Sequence, residues 1–216
     1  MDPSERIADL RDSYEIAALS EAELAPTWLE QFEGWLEAAL GSGMPEPNAM
    51  VLATAGADGT PAARTVLLRG VDGGGFRFHS DYRSRKGREL ADNPRATLLF
   101  PWYAQQRQVR VDGTVERLAA EESDAYFATR PRGSRIGAAA SLQSEVIESR
   151  EWLERRFAEV ERRHSGREDV PRPDHWGGYV VVPRAVEFWQ GRRDRLHDRL
   201  RYRRTDAAWV VERLAP

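Results

Sequence analysis

Cysteine is absent from the 216 residues, which removes disulfides, thiolate nucleophiles and cysteine-held metals in one step. Lysine is nearly absent too: among the 32 basic residues only Lys86 is not arginine. Long apolar runs are missing. Without a stretch of about 18 apolar residues no membrane helix is expected, and the charged opening MDPSERIADLRDSYE lacks the apolar centre of a secretory signal. A cytoplasmic protein is the expectation. Several catalytic signatures are also missing: no Gly-x-Gly-x-x-Gly after a strand, no Walker loop, no Gly-x-Ser-x-Gly elbow, no His-Glu-x-x-His. No metal is expected, so redox chemistry would have to come from an organic cofactor.

What is there is a soluble globular composition, 41% hydrophobic and 31% charged, at a length that suits one domain. The formal net charge is −3. A weakly acidic chain with local arginine clusters argues against nucleic acid and for compact anionic ligands.

Residues 1–25 are polar and too sparse in apolar residues to predict an element. Pro26-Thr27 introduces a helix, with Trp28, Leu29, Phe32, Trp35, Leu36, Ala39 and Leu40 at helical spacing and Gly41-Ser42-Gly43 at its end. Three strands follow, Ala49–Ala55, Ala62–Arg69 and Gly75–Ser80, separated by Asp-Gly turns. A short helix over Ser84–Ala91 precedes strands at Ala96–Tyr103 and Gln108–Leu118, the latter interrupted at Asp112-Gly113. Helices are predicted at Ala119–Thr129 and Ser149–His164, and strands at Tyr179–Val182, Val186–Gln190 and Ala207–Leu214. The fold class is mainly β with α decoration (α+β), six or seven antiparallel strands forming a barrel or bent sheet with inserted helices.

Four segments could carry chemistry. In Arg64-Thr65-Val66-Leu67-Leu68-Arg69, period-two alternation sends the two arginines to opposite faces unless a bulge intervenes; they serve two anions or merely flank a barrel strand. Ser84-Arg85-Lys86-Gly87-Arg88 follows Phe78-His79-Ser80-Asp81, and hydroxyls entering a basic helix N-terminus suit a phosphate; a solvated basic turn is the other reading. Tyr126 and Arg130 lie four apart on one helix face, with Pro131 ending the helix and Ser134 in the glycine-containing turn beyond. A phenol, a guanidinium and a hydroxyl suit a phosphate monoester, although Tyr126 could equally be core. Finally Trp189 precedes Arg195, His197 and Arg199, which alternation places on one strand face, where like charge disfavours imidazolium.

Together these segments resemble the pyridoxamine 5′-phosphate oxidase family over nearly the whole chain. The matching stretches are PNAMVLAT, RTVLLR, SRKGREL, NPRATLLFPWY, RQV, YFATRPRGSRIGA, LQSE, WGGY, EFWQG, RLHDR and the terminal ERLAP, in that order. The resemblance implies an FMN-binding split barrel, with FMN at the subunit interface of a homodimer. Residues 1–25 would be a flexible segment able to cover the active site, and 26–216 a single domain including a C-terminal dimerisation region. It implies FMN contacts at Arg64, Thr65, Val66, Leu67, Leu68, Arg69, His79, Ser80, Arg85, Lys86, Gln108, Gln143, Ser144, Trp189 and Arg199. Substrate phosphate contacts would be Arg69, Tyr126, Arg130 and Ser134. Arg195 and His197 would orient the substrate ring and tune proton flow, and Arg11 and Tyr14 would cover it. The implied reaction is oxidation of pyridoxamine or pyridoxine 5′-phosphate by oxygen to pyridoxal 5′-phosphate, releasing hydrogen peroxide, and ammonia from the amine. No nucleic acid or membrane partner is implied. Two positions depart from the pattern: Arg69 where many relatives have lysine, and His79 where tyrosine is common. Rival readings are a deazaflavin-dependent or general flavin reductase on the same barrel, and a non-catalytic pyridoxal phosphate carrier.

Overall fold

The structure, a computed structural model, describes residues 13–216. Its strands are β1 (Ala49–Ala55), β2 (Pro61–Leu67), β3 (Gly70–Asp72), β4 (Gly75–Asp81), β5 (Arg95–Trp102), β6 (Arg107–Arg117), β7 (Trp176–Gln190), β8 (Asp198–Arg204) and β9 (Trp209–Arg213). The helices are α1 (Trp28–Gly41), α2 (Arg85–Asp92), α3 (Ala120–Thr129), α4 (Arg132–Ala140) and α5 (Arg150–Arg163). The strand order is β2-β1-β5-β6-β7-β4-β3, with β8 on β7 and β9 on β8. The pairs β1–β2, β3–β4, β4–β7, β7–β8 and β8–β9 are antiparallel. No helix among the described residues is long and apolar enough to cross a membrane.

The chain forms two compact units. One comprises Asn48–Leu98 and Asp112–Pro183; the other comprises the described residues up to Pro47, Leu99–Val111 and Arg184–Pro216. In the second of these, α1 starts at Thr27 because the side chain accepts the Glu30 N–H at 3.2 Å while the Glu30 carboxylate accepts the Thr27 N–H at 3.1 Å, a reciprocal capping box. The helix turns Trp28, Phe32, Trp35 and Ala39 inward. Phe32 meets Phe100 and Trp102 at 5.0 and 5.9 Å, and Trp35 meets Phe188 edge-on at 5.2 Å. Such ring pairs add about 0.5–1.5 kcal/mol each beyond burial.

In the first unit, strict alternation in β1 buries Met50, Leu52 and Thr54. Pairing of β4 with β7 sets Phe78 opposite Tyr179, their rings stacked at 5.2 Å. A smaller apolar cluster of Ile136, Ala140, Val160 and Val170 joins α4 to α5.

Four expectations are corrected. β6 runs unbroken through Asp112-Gly113; Gly113 is needed there because a Cβ would lie 2.3 Å from the Val182 carbonyl oxygen, a close backbone approach rather than a turn. β7 is one strand, not two: it pairs with β4 up to Val181 and with β8 from Ala185, and Pro183 falls in the interval between. Pro131 does not lead into a loop; α4 begins at Arg132, and Ser134 donates its N–H to the Pro131 carbonyl at 2.9 Å. The alternation expected over 195–199 also fails, since Arg195 ends a 3-10 turn and only Arg199 lies in β8.

Candidate functional site

The local chemistry begins at Ser84. As N-cap of α2 its hydroxyl accepts the Gly87 N–H at 3.3 Å and donates to the Asp81 carbonyl at 2.6 Å. Gly87 permits this close seating, because a Cβ would lie 2.1 Å from the Tyr82 carbonyl oxygen. The cap fixes the first turn, and the Lys86 Nζ then donates to the hydroxyls of Ser80 at 3.1 Å and Ser84 at 3.5 Å. Burial, reinforced by Arg64, lowers the Lys86 ammonium below its ordinary value, with Asp81 and Glu89 partly offsetting both.

Glu89, one turn beyond Arg85, is a residue the sequence reading missed, as is Trp176. Its buried carboxylate accepts Arg64 Nη2 at 2.9 Å, Arg85 Nε at 2.8 Å and the Thr54 hydroxyl. Burial pushes its pKa up, but these hydrogen bonds and the Arg64 charge leave it below the ordinary carboxylate value. Arg64 also donates to Thr54 Oγ1. The signal was available: Arg85 and Glu89 are an i, i+4 pair.

These residues border a cavity of about 680 Å³ lined by Ala62, Ala63, Arg64, Thr65, Val66, Leu67, Arg69, His79, Ser80, Arg85, Lys86, Tyr126, Arg130, Gln143, Ser144 and Trp176. Arg64 and Arg69 thus share one cavity instead of diverging. The physical reason is that β2 ends at Leu67; Leu68 then donates to the Asn48 carbonyl and Arg69 to that of Arg77, so the chain bends between them. Gln143 accepts from Ser80 Oγ at 3.3 Å and the Asp81 N–H at 3.2 Å. Also lining the cavity, the Arg130 guanidinium lies 4.6 Å from the Trp176 ring centroid, with a buried Nη1 that meets no hydrogen-bond partner among the described residues. Burial lowers its pKa.

Not every expected residue lines this cavity. Leu68 is buried in the core, and Ser134 is exposed in the first turn of α4. Gln108, Trp189, Arg195, His197, Arg199 and Tyr14 belong to the other unit. There Trp189 lies 4.6 Å from the His197 ring, and Tyr14 packs edge-on against both at 5.8 and 5.6 Å. The His197 Nδ1 accepts the Arg192 N–H at 3.1 Å; burial, then Arg195, lowers its pKa. A neutral ring with Nδ1 as acceptor carries its proton on Nε2. Asp194 and Arg195 are consecutive left-handed residues, φ 55° and 59°. Arg199 donates to Glu187 at 2.7 Å, which raises its pKa, and to the Ala215 carbonyl at 2.9 Å. Arg11 lies outside the described residues.

Comparison with known proteins now bears on what this geometry serves. The family model for pyridoxamine 5′-phosphate oxidase matches residues 36–164, more than half of the chain. The chain belongs to the pyridoxamine 5′-phosphate oxidase family. Residues 176–216 also match the pyridoxine 5′-phosphate oxidase C-terminal dimerisation region. The chain is 54% identical to the pyridoxine/pyridoxamine 5′-phosphate oxidase of Salinibacter ruber over 213 residues, covering 98% of this chain and 99% of the relative. Identity to the oxidase of the same name from Rubrobacter xylanophilus is 59% over 210 residues, covering 97% and 96%. Among solved structures, PhzG from Burkholderia lata, in complex with tetrahydrophenazine-1-carboxylic acid, matches with a TM-score of 0.88 at 31% identity, covering 95% of this chain and 100% of that one. A pyridoxamine 5′-phosphate oxidase-related, FMN-binding protein of Nostoc punctiforme shares the fold, with a TM-score of 0.69 at 20% identity over 90% of this chain and 100% of that one. The expected fold class holds: a mainly β, antiparallel split barrel with inserted helices. The chain is an oxidoreductase of this oxidase family.

Proposed function

We propose that this chain oxidises pyridoxamine 5′-phosphate, pyridoxine 5′-phosphate or both to pyridoxal 5′-phosphate, using FMN and oxygen. Hydrogen peroxide is the second product, and the amine substrate also consumes water and releases ammonia. The observation that carries the proposal is one cavity lined by two sets of basic residues, Arg64 with Arg85 and Lys86, and Arg69 with Arg130. FMN and the substrate each bring a phosphate monoester carrying roughly −1.5 to −2 charge near neutrality.

The residues present fit FMN. Lys86 is buried and, among the described residues, bonded only to neutral hydroxyls, so an anion there would replace lost solvation. Arg64, Arg85, Lys86, Ser80, Gln143 and Ser144 would hold FMN, with Thr65, Val66, Leu67, Leu68, Arg69, His79, Gln108, Trp189 and Arg199 completing its contacts. When bound, the flavin supplies hydride acceptance and the route to oxygen. The chain's own part is positioning. Arg69, Tyr126, Arg130 and Ser134 hold the ester, and Arg195 orients the ring. His197, neutral with Nε2 protonated, offers a hydrogen-bond donor to it, while Arg11 and Tyr14 cover it.

We further propose a cytoplasmic homodimer with FMN at the subunit interface, built from residues 26–216 and closed by 1–25. The PhzG likeness makes a phenazine acid the natural counter-substrate; its carboxylate would bring only about one negative charge to Arg69 and Arg130, where a phosphate ester brings roughly −1.5 to −2. The decisive experiment incubates purified protein with FMN, oxygen and each ester. Formation of pyridoxal 5′-phosphate and peroxide in equal amounts is expected; absence of both would sink the proposal.

A further inference from the structure

Tyr126 lies flat on the imidazole of His79, with ring centroids 3.8 Å apart and planes 15° from parallel. Trp176 runs nearly parallel to both, 5.4 Å from His79 and 6.2 Å from Tyr126. Both His79 ring nitrogens are buried and meet no hydrogen-bond partner among the described residues. The ring therefore contributes a surface rather than a polar edge. One nitrogen, Nε2, lies 3.0 Å from where a Cβ on Gly178 would stand, so β7 closes off that side.

We propose that His79 is a positioning residue for the ester-phosphate group, its uncharged ring forming the surface that holds Tyr126 in reach of an anion bound by Arg69 and Arg130. The inference rests on the substrate reading above and deepens it. The neighbours of His79 account for the ring staying uncharged. Arg69 faces it from beyond β2, Arg130 and the Tyr126 phenol from α3 and its end, and Trp176 and Gly178 from β7 without charge. Burial first, then Arg130 and Arg69, bring its pKa down to about 4. A protonated ring would be a third cation, desolvated beside two guanidiniums. What the position needs is therefore flatness and neutrality, and the ring nitrogens are not used.

The test compares wild-type holoenzyme with His79→Ala, His79→Leu and His79→Phe. The measurements are KM and kcat with pyridoxamine 5′-phosphate, the dissociation constant of inorganic phosphate, and that of FMN. Loss of a stacked aromatic pair corresponds to roughly tenfold. His79→Ala and His79→Leu should raise KM and the phosphate dissociation constant by about that factor, and by more than they raise the FMN dissociation constant. His79→Phe should restore both affected constants to within about twofold of wild type. Leucine fills the volume without a flat ring, so it serves where alanine fails to fold. The idea is overturned if Ala and Leu leave both constants unchanged, or if Phe is as weak as Leu, which would mean the nitrogens matter. If the wild type turns over no pyridine ester but phosphate binding follows this pattern, the substrate reading falls and the positioning role stands.

Discussion

The two sets of basic residues that line the cavity are held differently. Arg64 and Arg85 share one buried carboxylate, Glu89, with Thr54 as a further partner. Arg69 and Arg130 have no carboxylate among the described residues, and Arg130 is set against Trp176 and Phe127 instead. A guanidinium bonded to a buried acid keeps its orientation whether or not an anion is present. One without that bond depends on the anion for compensation. The braced pair therefore suits a group that stays bound, and the unbraced pair a group that arrives and leaves with each turnover.

Removing a cation of the unbraced pair should have the largest effect, because the remaining guanidinium has no carboxylate among the described residues to keep it oriented. Arg130→Ala should lower kcat/KM for pyridoxamine 5′-phosphate by roughly 10- to 150-fold, the equivalent of about 1.5–3 kcal/mol for a charge-assisted hydrogen bond. FMN affinity, followed by flavin fluorescence, should move little. Equal losses in both would erase the distinction between the pairs. Lys86→Met comes next. It should weaken FMN by about tenfold or more while leaving riboflavin binding nearly unchanged, since only FMN carries the phosphate. Equal weakening of both flavins would place Lys86 away from the phosphate. Lys86 is the chain's single lysine, so protection of one side-chain amine from acylation by bound FMN checks the same point independently.

Much of the scaffold was readable because its signals are local. Thr27 with Glu30 announces α1, β1 alternates without exception, and Ser84 caps α2 where a hydroxyl precedes a basic turn. The errors arise where tertiary contact overrides a local rule. Gly113 looks like a breaker but serves a close approach of strands, and Pro183 looks like a terminus but falls between two pairings. In the site, the basic residues stood out because charge is conspicuous in a sequence. Glu89 and Trp176 did not, because one works through a hydrogen-bond network and the other through ring stacking. Alternation along 64–69 gave the wrong geometry for Arg69 because nothing in the sequence marks where β2 ends.

Glu89→Gln tests the brace directly. The carboxylate Oε2 serves Thr54 and Arg64, and Oε1 serves Arg85. An amide can keep one set but must turn its NH2 toward the other, so one guanidinium loses its acceptor. The FMN-free protein should lose about 1–3 kcal/mol, or roughly 2–4 °C in Tm per kcal/mol for a chain of this size. Added FMN should recover more of this in the variant than in wild type, because the phosphate supplies the missing anion. The pH dependence has a definite sign. The folded carboxyl sits below its ordinary value of 4.5, so its contribution is fully present above about 4.5 and disappears as pH falls through the lowered folded value. The stability gap between wild type and Glu89→Gln should therefore close in acid, and a gap that widens there would rule out the brace.

The smallest effect is expected from Thr54→Val, which keeps the shape and removes only the hydroxyl. Thr54 donates to Glu89 and accepts from Arg64, so it ties the acid to one of its two arginines. Arg64 and Glu89 would still meet directly at 2.9 Å. The cost should be near 1 kcal/mol in the FMN-free protein, with FMN affinity changed by about twofold or less. Because the two residues belong to one network, their effects should not add. The double variant with Glu89→Gln should lose less than the sum of the single losses, since the amide has already weakened the link that Thr54 supports. Strict additivity in a denaturant-melt cycle would mean Thr54 and Glu89 act separately, and that Arg64 of the braced pair is held by the acid alone.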